Sequence, residues 1–212
     1  MIVKPRVTGS ATVTATATGP ATGGKVTAEG LAAAVTSAAK RVPPPVHLWN
    51  PPFCGDIDIR IARDGTWFYL GTPIGRAPLV KLFASILKRE GDAYFLVTPV
   101  EKVGIRVDDA PLLAVDFEAS GTGAAQVLRF VTRTEDQVDA GPDHAIRVER
   151  DGETGEPSPY LHIRAGLWAL IDRKSFYRLV DIGTHALHEG QSWFGLWSQS
   201  VFFPVIPSKD LP

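Results

Sequence analysis

Two short phrases, "IRIARDG" at Ile59–Gly65 and "IRVERDG" at Ile146–Gly152, place nearly the same residues twice in one chain. In the first copy Ile57, Ile59 and Ile61 alternate with polar neighbours, which is the period of a half-buried strand, and Arg-Asp-Gly then supplies a tight turn. "TWFYL" returns from that turn, so the segment predicts a hairpin. The second copy alternates Ile146 and Val148, turns at Asp151-Gly152, and returns after a longer loop at "YLHI". The likeness continues downstream, where "RAPLVKLF" from Arg76 answers "RAGLWALI" from Arg164. Each unit reads as a hairpin followed by a helix, and the chain reads as an internal duplication.

The first of these helices is predicted from Leu79, Leu82, Phe83, Ile86 and Leu87, an apolar stripe at helical spacing that Gly91 ends. The second keeps Leu167, Leu170 and Ile171, meets "DRKS", and resumes at Phe176, Leu179 and Val180, which suggests a kink or two short helices. "AYFLVTP", "GIRV", "LLAVDFE", "AQVLRFVTR" and "GLWSQSVFFPV" read as strands. With no regular βαβ alternation the expected class is α+β, built as two β-rich half-domains. The expected divisions are a flexible Thr/Ala/Gly-rich tail over 1–26 and a short helix over 27–42 with Thr27 as N-cap and Leu31 and Val35 on one face. An N-terminal α+β domain over 43–101, a C-terminal β-rich domain over 102–206 and a tail over 207–212 complete them.

Composition narrows the function. Twenty-two basic residues against twenty-three acidic ones give a net charge of −1, so there is no global field to attract nucleic acid. No apolar run is long enough to span a bilayer, and the single Cys54 suits a reducing compartment, so a cytoplasmic location is expected. No cofactor is implied.

The motifs "WNPPFCGDIDIRI", "DGTWFYLGTPIGR", "LFASILKREGDAYFLVTPVEKVGIRVDDAPLLAVDFE" and "PYLHIRAGLWALIDRKSFYRLV" resemble the bacterial family labelled domain of unknown function 1285, over roughly Val46 to Phe203. That resemblance implies two structurally related domains, the C-terminal one superficially like a pleckstrin-homology barrel. It also implies a nucleotide-type ligand at their interface and a signalling role, with no activity attached.

Several residues carry candidate chemistry. Arg76 and Arg164 are read as helix-start residues at equivalent points of facing domains, where guanidinium forks and outward amide protons would meet a phosphate. The alternative is a structural ion pair to Asp56 or Glu118. "TPVEK" groups Thr98, Glu101 and Lys102 in one loop at a strand end, either facing a ligand or as a solvated turn. Trp49, Trp67 and Tyr160 offer rings for a base or for the core. Cys54 sits beside Asp56 and Asp58, which raise a thiol's pKa, and is expected to be mostly buried and slow to react. His185, His188 and Glu189 in "HALHEG" are read as a solvated surface turn in preference to a metal helix. The expected function is a non-enzymatic regulatory protein that binds a phosphorylated or nucleotide ligand between its halves. A protein-interaction module, and an enzyme using Glu101 or Asp56 as general base, stand as alternatives.

Overall fold

Strand alternation proves to be the dominant organising pattern. The computed structural model describes residues 27–38 and 44–211, and within them fifteen strands accompany only three α-helices. The expected two similar β-rich halves are present, and with so few helices the architecture is mostly β, so the α+β label fits only in part. The expected tail over 1–26, residues 39–42 of the expected first helix and residue 43 of the expected N-terminal domain lie outside the described residues.

Helix α1 (Ala28–Ala38) starts as expected, with Thr27 Oγ1 accepting a hydrogen bond from the Gly30 amide at 3.1 Å and Leu31 fully buried. Strands β1 (Phe53–Ile61), β2 (Trp67–Tyr69) and β3 (Thr72–Pro73) form a first meander. Helix α2 (Ala77–Ser85) follows, then β4 (Leu87–Glu90), β5 (Ala93–Val97) and β6 (Lys102–Val107) form a second. The two join into a six-stranded sheet of order β3-β2-β1-β6-β5-β4, antiparallel except for the parallel pair β1/β6.

The next six strands repeat this plan. Strands β7 (Leu112–Ser120), β8 (Val127–Thr132) and β9 (Gln137–Asp139) form one meander, and β10 (Ile146–Arg150), β11 (Pro157–Arg164) and β12 (Leu167–Ile171) another. Their order is β10-β11-β12-β7-β8-β9, with a parallel pair at β12/β7. In both sheets the first strand of the first meander runs parallel to the last strand of the second. The second sheet is a half-barrel. Helix α3 (Arg173–Asp181), capped by Asp172 Oδ1 accepting from the Ser175 amide at 2.8 Å, leads to a fifth meander of β13 (Thr184–His188), β14 (Gln191–Ser198) and β15 (Val201–Pro207). The tip of its β14–β15 hairpin closes the gap between β8 and β10. There the buried Ser198 hydroxyl accepts from the Leu128 amide at 2.9 Å and donates to the Ala140 carbonyl at 2.6 Å.

The duplication is therefore real, but its register is not the one the repeated phrase suggests. β1 sits mid-sheet against β6, whereas β10 is an edge strand, and the sheet equivalence pairs β1 with β7. What recurs in "RDG" is turn chemistry. Asp64 Oδ1 accepts from the Thr66 amide at 2.9 Å, and Asp151 Oδ1 from the Glu153 and Thr154 amides at 3.0 and 2.8 Å.

"RAGLWALI" is likewise a correction: Ala165 and Gly166, at φ +45° and +75°, form a two-residue hairpin turn, and Leu167, Ala169 and Ile171 bury as alternate residues of β12. The helix begins only at Arg173. The first helix is also shorter than its stripe predicts, because Leu87 pairs with Leu96 across β4/β5 and takes Lys88, Arg89 and Glu90 into the sheet. Strand β6 belongs to the first sheet, so a division at 101/102 would detach it from β1 and β5. At the C-terminus, Ser208 bonds His185 Nδ1 and Ser192 Oγ, each at 2.8 Å, so the expected tail is partly docked.

One hydrophobic core runs through both halves, from Leu31, Ile59, Phe83 and Leu96 to Phe130, Leu161, Leu167 and Leu179, and it includes Trp67. A smaller cluster of Ala110, Leu113, Tyr160 and Leu170, with Trp168 and Val115 against it, lies on the other face of the second sheet.

Candidate functional site

The residues singled out in the sequence do not converge. Arg76 is exposed at the N-cap of α2, while Arg164 lies at the end of β11 and donates one bond to the Ala84 carbonyl at 2.9 Å in the last turn of that helix. A nine-residue helix, roughly 13 Å long, separates the two positions. Arg164 also pairs with Asp136, so its structural partner is neither Asp56 nor Glu118.

Thr98 is fully buried and spends its hydroxyl on its own turn, accepting from the Val100 and Glu101 amides at 3.3 and 3.0 Å. Lys102 bonds Glu90 at 2.9 Å, and with Lys88 it holds the Glu90 carboxyl below its usual range. Glu101 and Trp49 are half-buried, and the Trp49 carbonyl accepts from Lys88 Nζ at 3.1 Å.

Cys54 corrects its expectation. It is exposed on the outward side of β1, where its thiol donates to the Pro52 carbonyl at 3.4 Å. The His185/His188 pair lies on a strand, where residues three apart point to opposite faces. Asp56 is exposed, its carboxylate lying over the bare Cα of Gly104.

Tyr160 joins a polar cluster of charges and rings that bridges the halves. It is buried, and its hydroxyl donates to Asp109 Oδ1 at 2.7 Å, in the link between β6 and β7. Asp109 Oδ2 lies 2.9 Å from a guanidinium nitrogen of Arg63, which comes from the β1–β2 turn and donates to Ser158 Oγ at 2.8 Å. Arg147 of β10 places its guanidinium 4.0 Å from the Trp168 ring centre and 5.5 Å from that of Tyr160, and pairs with Glu149 at 3.1 Å. From the first sheet, Arg89 reaches the Gly166 carbonyl at 3.4 Å and lies 5.8 Å from the Tyr94 ring centre. Burial raises the Tyr94 hydroxyl's pKa, and the charges of Arg89 and Arg147 oppose that rise while those of Asp109 and Asp92 add to it, so groups from both sheets share one electrostatic neighbourhood. Beyond Trp168 stands His162, 5.2 Å away ring to ring, with Nδ1 bonded to the Asp143 carbonyl at 2.8 Å.

Arg63, Arg89, Tyr94, Arg147 and Trp168 were all missed from the sequence. A signal existed for two of them. Once "IRV" and "LWALI" are both strands with Ile146, Val148, Leu167, Ala169 and Ile171 turned inward, Arg147 and Trp168 must point outward together. The other three converge only through tertiary packing.

Two shallow grooves lie elsewhere. One, of about 480 Å³, is bounded by Arg129, Asp139, Asp143 and His144. There a two-pronged Arg129–Asp139 bond at 2.6 and 2.9 Å holds the Asp139 carboxyl below its usual range. The other, of about 560 Å³, runs between Phe117, Arg178 and Ile182.

Residues 44–110 match the family described as domain of unknown function (DUF1285), N-terminal domain, and residues 111–205 match its C-terminal domain. The two matches meet just after β6, in the Asp109–Ala110 link. The fold is similar to the crystal structure of a DUF1285 family protein from Silicibacter pomeroyi DSS-3. That protein is 60% identical, with a TM-score of 0.78, over 85% of this chain and 97% of that one. A DUF1285 family protein from Shewanella baltica OS155 is 37% identical, with a TM-score of 0.46, over 58% of this chain and 90% of that one. No functionally curated protein matches the chain. Among the described residues, no helix is long and apolar enough to cross a membrane.

Proposed function

The chain belongs to the DUF1285 family, which brings a fold and no activity, and from its own surface chemistry we propose that it is a cytoplasmic, non-enzymatic regulatory protein. Its ligand is a nucleotide-type or other phosphorylated small molecule, bound at the junction of the two halves. The observation that supports this reading is the Arg147 guanidinium stacked 4.0 Å over Trp168, with Arg63 and Arg89 brought alongside from the other half. Guanidinium forks match phosphate, and aromatic faces accept a base. The carboxylates now facing these arginines include the fully exposed Asp92, which a doubly charged phosphate would displace from Arg89 at little cost.

A ligand held by Arg89 on one sheet and Arg147 on the other would stabilise one relative placement of the halves, which is how binding becomes a signal. The half-barrel is read as pleckstrin-homology-like, an architecture that presents binding surfaces and dictates no particular chemistry. The groups gathered here are likewise binding groups, forks and ring faces, in place of a nucleophile beside a base.

Thermal-shift and calorimetric titration against nucleotides, cyclic dinucleotides and inorganic phosphate test the proposal. A ligand should raise the melting temperature, and Arg147→Ala should weaken its binding about tenfold to a hundredfold, as expected for losing a charge-assisted bond of roughly 1.5–3 kcal/mol. Arg76→Ala should bind as the parent does. If no phosphorylated compound shifts the melting temperature, or if Arg147→Ala binds with unchanged affinity, the reading fails.

A further inference from the structure

Strand edges are where a β-rich chain either protects itself or pairs, because an edge presents a row of unsatisfied amide and carbonyl groups. Most edges here are guarded. β3 is two residues long and contains Pro73. β4 carries Lys88, Arg89 and Glu90, and Lys88 ties it to the Trp49 carbonyl. β9 is three residues long, with Asp139 locked to Arg129, and β10 lies against β15.

β13 differs from all of these. Its five residues, Thr184-His185-Ala186-Leu187-His188, contain no lysine, arginine, carboxylate or proline, and their backbone pairs with β14 alone among the described residues. Leu187 projects with 78% of its surface exposed.

We propose that β13 pairs antiparallel with β13 of a second copy, making a dimer. The occupant is a second copy because the edge suits itself: it carries no lysine, arginine or carboxylate to set two copies against each other, and it gains Leu187 contacts from both sides. Among the described residues each chain has one such edge, so a two-fold axis closes the assembly at two. The three strands of β13–β15 would become a continuous sheet of six, the size of the other two sheets in the chain. This inference is independent of the ligand at the junction.

Sedimentation velocity across micromolar to millimolar concentrations should show a monomer–dimer equilibrium. Leu187→Lys, which places a charge on the edge as natural guarded edges do, should weaken dimerisation by about tenfold or more. Far-UV circular dichroism of the monomeric variant should match the parent, since Leu187 is outside the core. Amide exchange over 184–188 should slow with increasing parent concentration. A parent that stays monomeric throughout, a dimer that survives Leu187→Lys, or concentration-dependent protection that falls elsewhere would each overturn the proposal.

Discussion

Leu70 occupies the first position of the two-residue turn between β2 and β3, at φ +50°, with Gly71 next at +75°. A branched side chain there crowds the following carbonyl, and its 64% exposure returns little burial in exchange. Asparagine tolerates this backbone far better. Leu70→Asn should therefore stabilise the protein by about 0.5–1 kcal/mol, which in a chain of this size raises the melting temperature by roughly 1–4 °C. Differential scanning calorimetry checks it, and a lower melting temperature would mean that Leu70 makes a contact worth more than its strain. At this scale the sequence is legible where a residue's chemistry acts on its immediate neighbours, as at Thr27 and the "RDG" aspartates. It misleads where burial decides. Cys54 is of a type usually found inside, yet it lies on the outward side of β1, and Thr98 looks like a surface hydroxyl yet is sealed in its own turn.

Among the elements, close approach at glycines separates rigid neighbours from yielding ones. A Cβ built on Gly195 of β14 would collide with the backbone oxygen of Phe203 and with the Phe202 ring. On Gly104 of β6 the obstacle is the end of the exposed Asp56 side chain, which can rotate away. Gly195→Ala should cost about 2 kcal/mol or more in urea unfolding, as overpacking against a fixed backbone does, while Gly104→Ala should cost under about 1 kcal/mol. Equal losses in the two variants would show that Asp56 is held in place after all. The same scale explains "RAGLWALI". A short apolar run satisfies both the helical and the strand period, and only the partner strands β11 and β7 selected the strand.

For the whole molecule, the shared core and the Arg164 bridge from β11 to Asp136 and to the end of α2 predict that the two halves unfold together. Calorimetry should record a single transition. Arg164→Ala leaves Asp136 without this cation and the Ala84 carbonyl without its side-chain donor in a site where the two partners are only 30% and 25% exposed, so a loss of about 1–3 kcal/mol is expected, with ligand affinity at the junction unchanged. Two separate transitions in the parent protein would show that the core does not couple the halves, and a weakened ligand affinity in Arg164→Ala would move this arginine into the binding site.

The sequence by itself determined most of the strands and their turns, the helix cap at Thr27 and the existence of two related halves, because alternation, capping and tight turns are interactions between residues a few positions apart, whereas β4, β12 and β13 became strands only through their partners. The register of the duplication was decided in three dimensions, by which strand ends found parallel partners at β1/β6 and β12/β7. The junction was decided there as well. Arg63, Arg89, Tyr94, Arg147, Tyr160 and Trp168 are scattered over a hundred positions of the chain, and only the packing of one sheet against another brings their charges and rings within reach of each other.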